Sequence, residues 1–518
     1  MGVGEPTWLA LVPPLLAIGG ALAFKRVVPA LALGVLVGAS LLHGFGAGLA
    51  RFFDRYLWNA LIDSGHLWIL GLALCLGGMI RVIGQTEIAG SMAGGITRYA
   101  TNRRRGQLTA WMLGLVFFFD DYVNTLFVGS TMGSVSERLR ISRAKLAFTV
   151  DATAAPVASL APVSTWIATE IAYIGDQCRA IGLQTDPFGI FLQTLPGRFY
   201  SWLMLAFVLM VAVTGRDFGP MLRAERAAVA GHADGSSSAA PPPVVFGRLL
   251  AWAPILVVLV VVTGGVILTG YLGAAASGEP VTATAVLDNA ESSRVMVMGA
   301  FLGGVTAVLI AASLPHRPLR DSALMWGRGT VSMVHVMSIL LLAWALGDVC
   351  RDMQTARYLV SKLGAGFEPG LLPAIVFLVS GVTSFATGTS WGTMGILFPL
   401  AMPMAHELSP GDQAVMLGTI SSILAGSVFG DHCSPISDTT IMSSMAAGCD
   451  HLAHVRTQLP YALLVGVVSL LFGAIPAGLG LWPTWVGLAL GVGALWIALR
   501  TVGRPVSGDE GATSAAAP

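Results

Sequence analysis

Hydrophobic positions in this chain fall in long unbroken runs, with no alternation and no narrow helical stripe. Residues 8–24, 27–43, 67–83, 198–214, 249–272, 294–314, 331–347, 459–481 and 483–499 form such runs, almost free of charge. A helix crossing the hydrocarbon core needs about 20 apolar residues, so each run predicts a membrane span. Four further apolar stretches, 108–135, 146–172, 370–405 and 413–447, are interrupted by Asp, Ser, Thr, Asn, Gly and Pro. Irregular backbone at membrane depth is tolerated only where protein, water or an ion satisfies the freed polar groups. Gly34 with Gly38, and Gly487 with Gly491, have the small-xxx-small spacing that permits close helix contact.

The interrupted stretches come in pairs. Thr131-Met132-Gly133 is echoed by Thr393-Met394-Gly395, and Ala161-Pro162-Val163-Ser164-Thr165 by Ser434-Pro435-Ile436-Ser437-Asp438. Both halves read span, hairpin, broken helix, span. The expected fold is an all-α polytopic membrane protein of about 11 transmembrane spans plus two re-entrant hairpins, built as an inverted-topology repeat. Its parts would be scaffold helices over 1–66, a first repeat over 67–214 and a cytoplasmic linker over 215–248. Connecting helices over 249–330, a second repeat over 331–481, and a last helix with a disordered tail over 482–518 complete it. An inverted repeat suits a midplane site reached alternately from either side.

Composition agrees. Of 518 residues 55% are hydrophobic and 11% charged, against roughly 25% charge in a soluble domain. A soluble enzyme is excluded, and a net charge of +1 leaves no basic surface for nucleic acid. If the hairpins at 108–135 and 370–405 return to the side they entered, eleven spans put the N-terminus in the periplasm and the C-terminus in the cytoplasm. All but eight of the 29 Lys and Arg residues then face the cytoplasm, as the positive-inside rule requires. Lys25-Arg26 follow the first apolar run, the wrong order for a cleaved signal peptide, so that run is expected to stay as a span. Only three basic residues are lysines, a bias that fits a GC-rich bacterial genome and an inner-membrane location. The five cysteines form no CxxC pair, so neither a disulfide framework nor a redox motif is expected.

The chemistry lies in the interrupted segments. Phe119-Asp120-Asp121-Tyr122-Val123-Asn124 places adjacent carboxylates in an aromatic run, each costing at least ~2.5 kcal/mol in lipid without a partner, water or a proton. Capping of a helix start is the alternative reading. In the first broken helix Asp151, Ala155 and Ser159 share one face, and Pro156 and Pro162 free backbone carbonyls beside Ser164 and Thr165; a plain proline kink is the alternative. Glu170 reads as an outer-end group with water in reach. Arg143, Lys145, Arg179 and Arg198 stand near span ends, where snorkelling explains them. The second hairpin, from Thr387 through Gly388, Thr389 and Ser390 to Thr393, has hydroxyls and glycine but no charge. Gly430-Asp431-His432-Cys433-Ser434-Pro435-Ile436-Ser437-Asp438-Thr439-Thr440 is the densest segment. Its hard oxygens suit a hard cation more than zinc or copper.

At these residues the chain resembles the NhaC-type sodium/proton antiporters of the ion-transporter superfamily. The resemblance covers roughly residues 60–480. It implies two re-entrant hairpins and two unwound helices around a central cation site, alternating access against a scaffold, and often a homodimer. By position it implies cation ligands among Asp120, Asp121, Asn124, Ser164, Thr165, Thr387, Thr389, Ser390, Asp431, Ser437 and Asp438. Asp151, Ser159, Ser434 and Thr439 join the candidate cation- or proton-binding set from their own placement. The expected activity is exchange of cytoplasmic Na+ or Li+ for external H+, with Asp431 and Asp438 leading. The partners are then the bilayer and the transported cations, with no cofactor and no resident metal. The alternative is a sodium- or proton-coupled carrier of a small carboxylate or amino acid.

Overall fold

The computed structural model describes residues 7–506 apart from 25, 87, 89–96, 184, 231–247, 278–281, 283–284, 287–288, 315–316 and 364–366. The protein is helical throughout these residues save for one short antiparallel pairing, Arg216–Asp217 with Arg504–Pro505. The long apolar runs are helices: Val27–His43, Ser64–Gly84, Phe199–Thr214, Arg248–Ser277, Ser292–Ala312, Val334–Asp352, His451–Val468 and Thr484–Thr501. Among the described residues eight helices are long and apolar enough to cross a membrane, or ten if each of two bent pairs is one span. The expected eleven include 8–24 and 27–43, whose helices are shorter, and omit Pro369–Thr387, which is long enough.

The interrupted stretches become helix pairs. Arg103–Val116 and Asp121–Arg138 form the first hairpin, turned through Phe117–Asp120. Arg143–Leu160 and Thr165–Ala180 form the first broken pair, bent by 48° around Pro162. Leu372–Thr387 and Ser390–Leu408 form the second hairpin. Gln413–Cys433 and Asp438–Ala447 form the second broken pair. Each restarting helix opens on a side-chain cap, from Asp120, Ser164, Thr389 and Ser437 respectively. Such caps satisfy amides that a mid-protein helix start leaves bare.

In each half the hairpin tip is bonded to its own break. Thr165 N donates to Phe119 O at 3.0 Å, and Ser434 Oγ to Phe385 O at 2.6 Å. Gly388, at φ +69°, makes the second tip possible; a Cβ there would stand 2.5 Å from Ile436 O, and only glycine takes this backbone freely. Gly426 and Gly430 let Gln413–Cys433 lie backbone-to-backbone on Leu372–Thr387.

The stretch expected as a flexible linker is a docked element through Val229. Gly219–Val229 is a helix, and Asp217 and Glu225 are buried. Asp217 accepts from Lys145 Nζ and from Tyr461 Oη. Glu225 accepts from Ser142 N at 2.7 Å and pairs with Arg103. The Ser and Pro run that makes this stretch look like a linker begins only after these two acidic anchors. Residues 231–247 and the tail after Val506 lie outside the described residues.

Candidate functional site

The two halves meet where their broken helices restart. Asp120 caps Asp121–Arg138 through Val123 N at 2.8 Å, and its second oxygen accepts from Thr165 Oγ1 at 3.0 Å. Tyr122 Oη reaches across to Asp438 Oδ2 at 2.5 Å. Thr439 Oγ1 donates to Asp431 Oδ2 at 3.1 Å and lies 3.0 Å from Ser437 Oγ. Asp121 is within electrostatic reach of Asp120 and Asp438, and Asp431 of Asp438 and Asp151.

Asp121 Oδ2 and Asp431 Oδ1 are buried with no hydrogen-bond partner. Among the described residues neither they nor Asp120 and Asp438 pair with a Lys or Arg. Burying several charges of one sign costs several kcal/mol per ion unless a counter-charge is supplied. This oxygen-only cluster therefore needs cations or protons. Among the described residues no three His, Cys, Asp or Glu side chains are grouped to hold a resident metal ion.

Asp151 belongs to a neighbouring and chemically different group. Its Oδ2 accepts from Gln458 Nε2 at 2.6 Å and Thr440 Oγ1 at 3.2 Å, with His454 Nε2 at 3.4 Å.

Several candidates also bond to protein. Asn124 Nδ2 donates to Gly114 O at 2.7 Å and Phe117 O at 3.2 Å, closing the end of the preceding helix, while its Oδ1 is buried without a partner. Ser159 Oγ bonds to Pro156 O at 3.0 Å, and its own carbonyl is taken by Arg198. Ser164 Oγ donates to Ala158 O at 2.7 Å. Thr387 Oγ1 donates to Thr383 O, and Ser390 Oγ to Ser427 O. Thr389 Oγ1 caps Gly392 N and Ser434 Oγ holds Phe385 O. At the first break, the carbonyls of Ala158 and Ser159 are thus taken by Ser164 and Arg198 side chains.

Two readings are corrected. Glu170 is fully buried and pairs with Arg198, equally buried, at 2.7 Å. Arg198 and Lys145 do not snorkel; both sit in buried ion pairs, because a carboxylate waits for each inside the bundle. The residues missing from the candidate set are Tyr122, Thr440, His454 and Gln458. His454 and Gln458 stand four apart on one helix, a spacing that puts both on one face.

A cavity of about 570 Å³ reaches Asp120 and Tyr122, with Arg81, Gln85 and Arg317 in its lining. A second, of about 370 Å³, is lined by Gln177, Gly347, Arg351 and Glu407. Gly77–Gly84 border the first, whereas His66, near the other end of that helix, approaches Asp176 beside the second. Of the acidic site, Asp120 and Tyr122 line the first cavity, whereas Asp121, Asp431 and Asp438 line neither.

The fold and site define a multi-span helical membrane protein with two broken helix pairs and an acidic centre. The Na+/H+ antiporter family model matches residues 157–475, and the chain belongs to that family. An uncharacterized protein of Haemophilus influenzae is 33% identical over 93% of this chain and 92% of its own length. The arginine/ornithine antiporter ArcD of Halobacterium salinarum is 30% identical over 30% of each chain. The crystal structure of the Alcanivorax borkumensis YdaH transporter superposes with a TM-score of 0.59 at 15% identity, covering 91% of this chain and 99% of that one; the likeness is one of fold. Family and fold are those of transporters, not enzymes.

Proposed function

We propose that the chain is an NhaC-type antiporter that expels cytoplasmic Na+ or Li+ in exchange for external H+ by alternating access. The observation that carries this reading is the oxygen-only cluster of buried Asp121 and Asp431 with half-buried Asp438, with Ser437 and Thr439 hydroxyls and no basic partner. Hard oxygens suit a hard cation. Two like charges at 4 Å repel by ~4 kcal/mol at an effective dielectric of 20, so the cluster accepts either sodium or protons, and each displaces the other.

The cavity bordered by Arg81 and Arg317 is assigned to the cytoplasm by the positive-inside pattern, and the Arg351 cavity to the periplasm. The protein then resides in a bacterial inner membrane with its N-terminus periplasmic and its C-terminus cytoplasmic. Homodimer assembly rests on the resemblance and is checked by light scattering in detergent. The deciding experiment is dye-reported alkalinisation of acidified everted vesicles on adding sodium or lithium. Full exchange in Asp438→Asn would sink the assignment.

The similarity to an arginine/ornithine antiporter supports a second reading, an amino-acid exchanger. A carboxylate cluster suits a cationic side chain as well as a metal ion. Uptake of labelled arginine, lactate and malate with and without sodium separates the two.

A further inference from the structure

We propose that Asp151 and His454 form a proton-carrying pair separate from the sodium cluster, coupled to it through the hydroxyl of Thr440. This deepens the antiport reading and rests on it.

The pair is built unlike the cation cluster. Asp151 and His454 are both fully buried. The donors on Asp151 Oδ2 are an amide, a hydroxyl and an imidazole nitrogen, from Gln458, Thr440 and His454. Gln458 Nε2 is fixed from its other side by His432 O at 2.9 Å. A metal ion at Asp151 Oδ2 would have to displace the Gln458 amide N–H, which donates only and cannot itself become a ligand. A proton displaces nothing. Asp151 Oδ1 and His454 Nδ1 are both buried and without a partner, so each nitrogen or oxygen that would receive the proton is bare. Taking up one proton converts the pair from a net negative charge to neutral, which burial favours. The remaining titratable groups facing Asp151 are Asp431, Asp438, His432 and Tyr200, from three neighbouring helices. Ser443 Oγ, 3.1 Å from His454 Nε2, is that ring's second partner.

Thr440 supplies the coupling. Its Oγ1 lies 3.2 Å from Asp151 Oδ2 and 3.3 Å from the main-chain oxygen of Asp431. A hydroxyl has one hydrogen, so it donates to one of them at a time. With the pair deprotonated, the carboxylate outcompetes the carbonyl, because bonds to a charged acceptor are roughly twice as strong. With the proton aboard, the hydrogen turns to Asp431 O, which also accepts from Ser434 N in the break. Protonation at Asp151 is thereby felt at the backbone that carries Asp431 and leads to Asp438.

The test uses the whole protein in proteoliposomes, with labelled sodium flux and pyranine-reported proton flux measured together. Sodium counterflow, with sodium on both sides, requires no proton. Asp151→Asn and His454→Gln should keep counterflow and lower the protons moved per sodium ion. Asp438→Asn should lose both. Loss of counterflow in folded Asp151→Asn and His454→Gln, or an unchanged ratio in either, would overturn the proposal. If Asp151→Asn does not fold, His454→Gln, which keeps a donor toward Asp151, carries the test alone. Absence of any sodium-evoked proton movement in the unaltered protein would instead overturn the antiport reading.

Discussion

The hydroxyl of Tyr122 donates to Asp438 Oδ2, joining residues 316 positions apart and the two halves of the repeat at one carboxylate. A hydrogen bond to a charged group contributes about 1.5–3 kcal/mol, and 1.4 kcal/mol is about tenfold in affinity. Tyr122→Phe should therefore raise the half-saturating sodium concentration by about tenfold while leaving maximal exchange measurable. Fluorescent-dye titration in everted vesicles reads this. An unchanged sodium constant would mean that the tyrosine does not orient Asp438 for sodium.

Asn124 lies beside the carboxylates yet serves the backbone. Asn124→Ala leaves Gly114 O and Phe117 O without their side-chain donor, at about 1–3 kcal/mol for a buried group left unsatisfied. The variant should melt at lower temperature in detergent, and its sodium constant should stay close to that of the unaltered protein. A selective loss of sodium affinity with unchanged melting would make Asn124 a ligand after all.

The Glu170–Arg198 pair yields an asymmetric prediction. Removing one partner strands a buried charge at about 3–5 kcal/mol, whereas replacing both with apolar residues of similar size is often neutral. Glu170→Leu should be poorly folded, and Glu170→Leu with Arg198→Met should recover much of the lost thermal stability. The recovery will be incomplete, because Arg198 also holds Ser159 O and Thr194 Oγ1. Size-exclusion profiles and melting curves of the two variants provide the comparison.

Gly388→Ala tests the second hairpin tip. The left-handed backbone costs a non-glycine residue roughly 1–2 kcal/mol, and the added methyl meets Ile436 O. Sodium exchange should fall sharply at a sodium concentration that saturates the unaltered protein. Retention of full rate would show that the tip need not seat on the 434–437 break during the cycle.

Much of this site was legible in the primary structure. Prolines at 162 and 435 and the clustered Asp, Ser and Thr residues mark the breaks, because lipid allows such chemistry only where protein receives it; Pro156, expected to mark one too, lies inside the helix Arg143–Leu160. What could not be read was partner choice. Thr387, Ser390 and Ser434 look like Thr439 in sequence, but only Thr439 bonds a carboxylate; the other three donate to main-chain oxygens. His454 and Gln458 were overlooked because they sit in an ordinary-looking apolar helix, and their significance comes from Asp151, more than 300 positions away. Lys145 and Arg198 pose the same difficulty: a basic residue near a span end looks alike whether lipid headgroups or a buried carboxylate receives it.

The docking of Asp217 between Lys145 and Tyr461 has a consequence for how the chain can be divided. The last element of the first half is anchored on a helix of the second, and Arg216 is paired with Pro505 near the far end. The halves are therefore interleaved, like clasped hands more than beads on a string. A gene split within codons 231–247 and expressed as two fragments should still yield an assembled protein, whereas a split placed before Gly215 would remove that clasp from the first fragment.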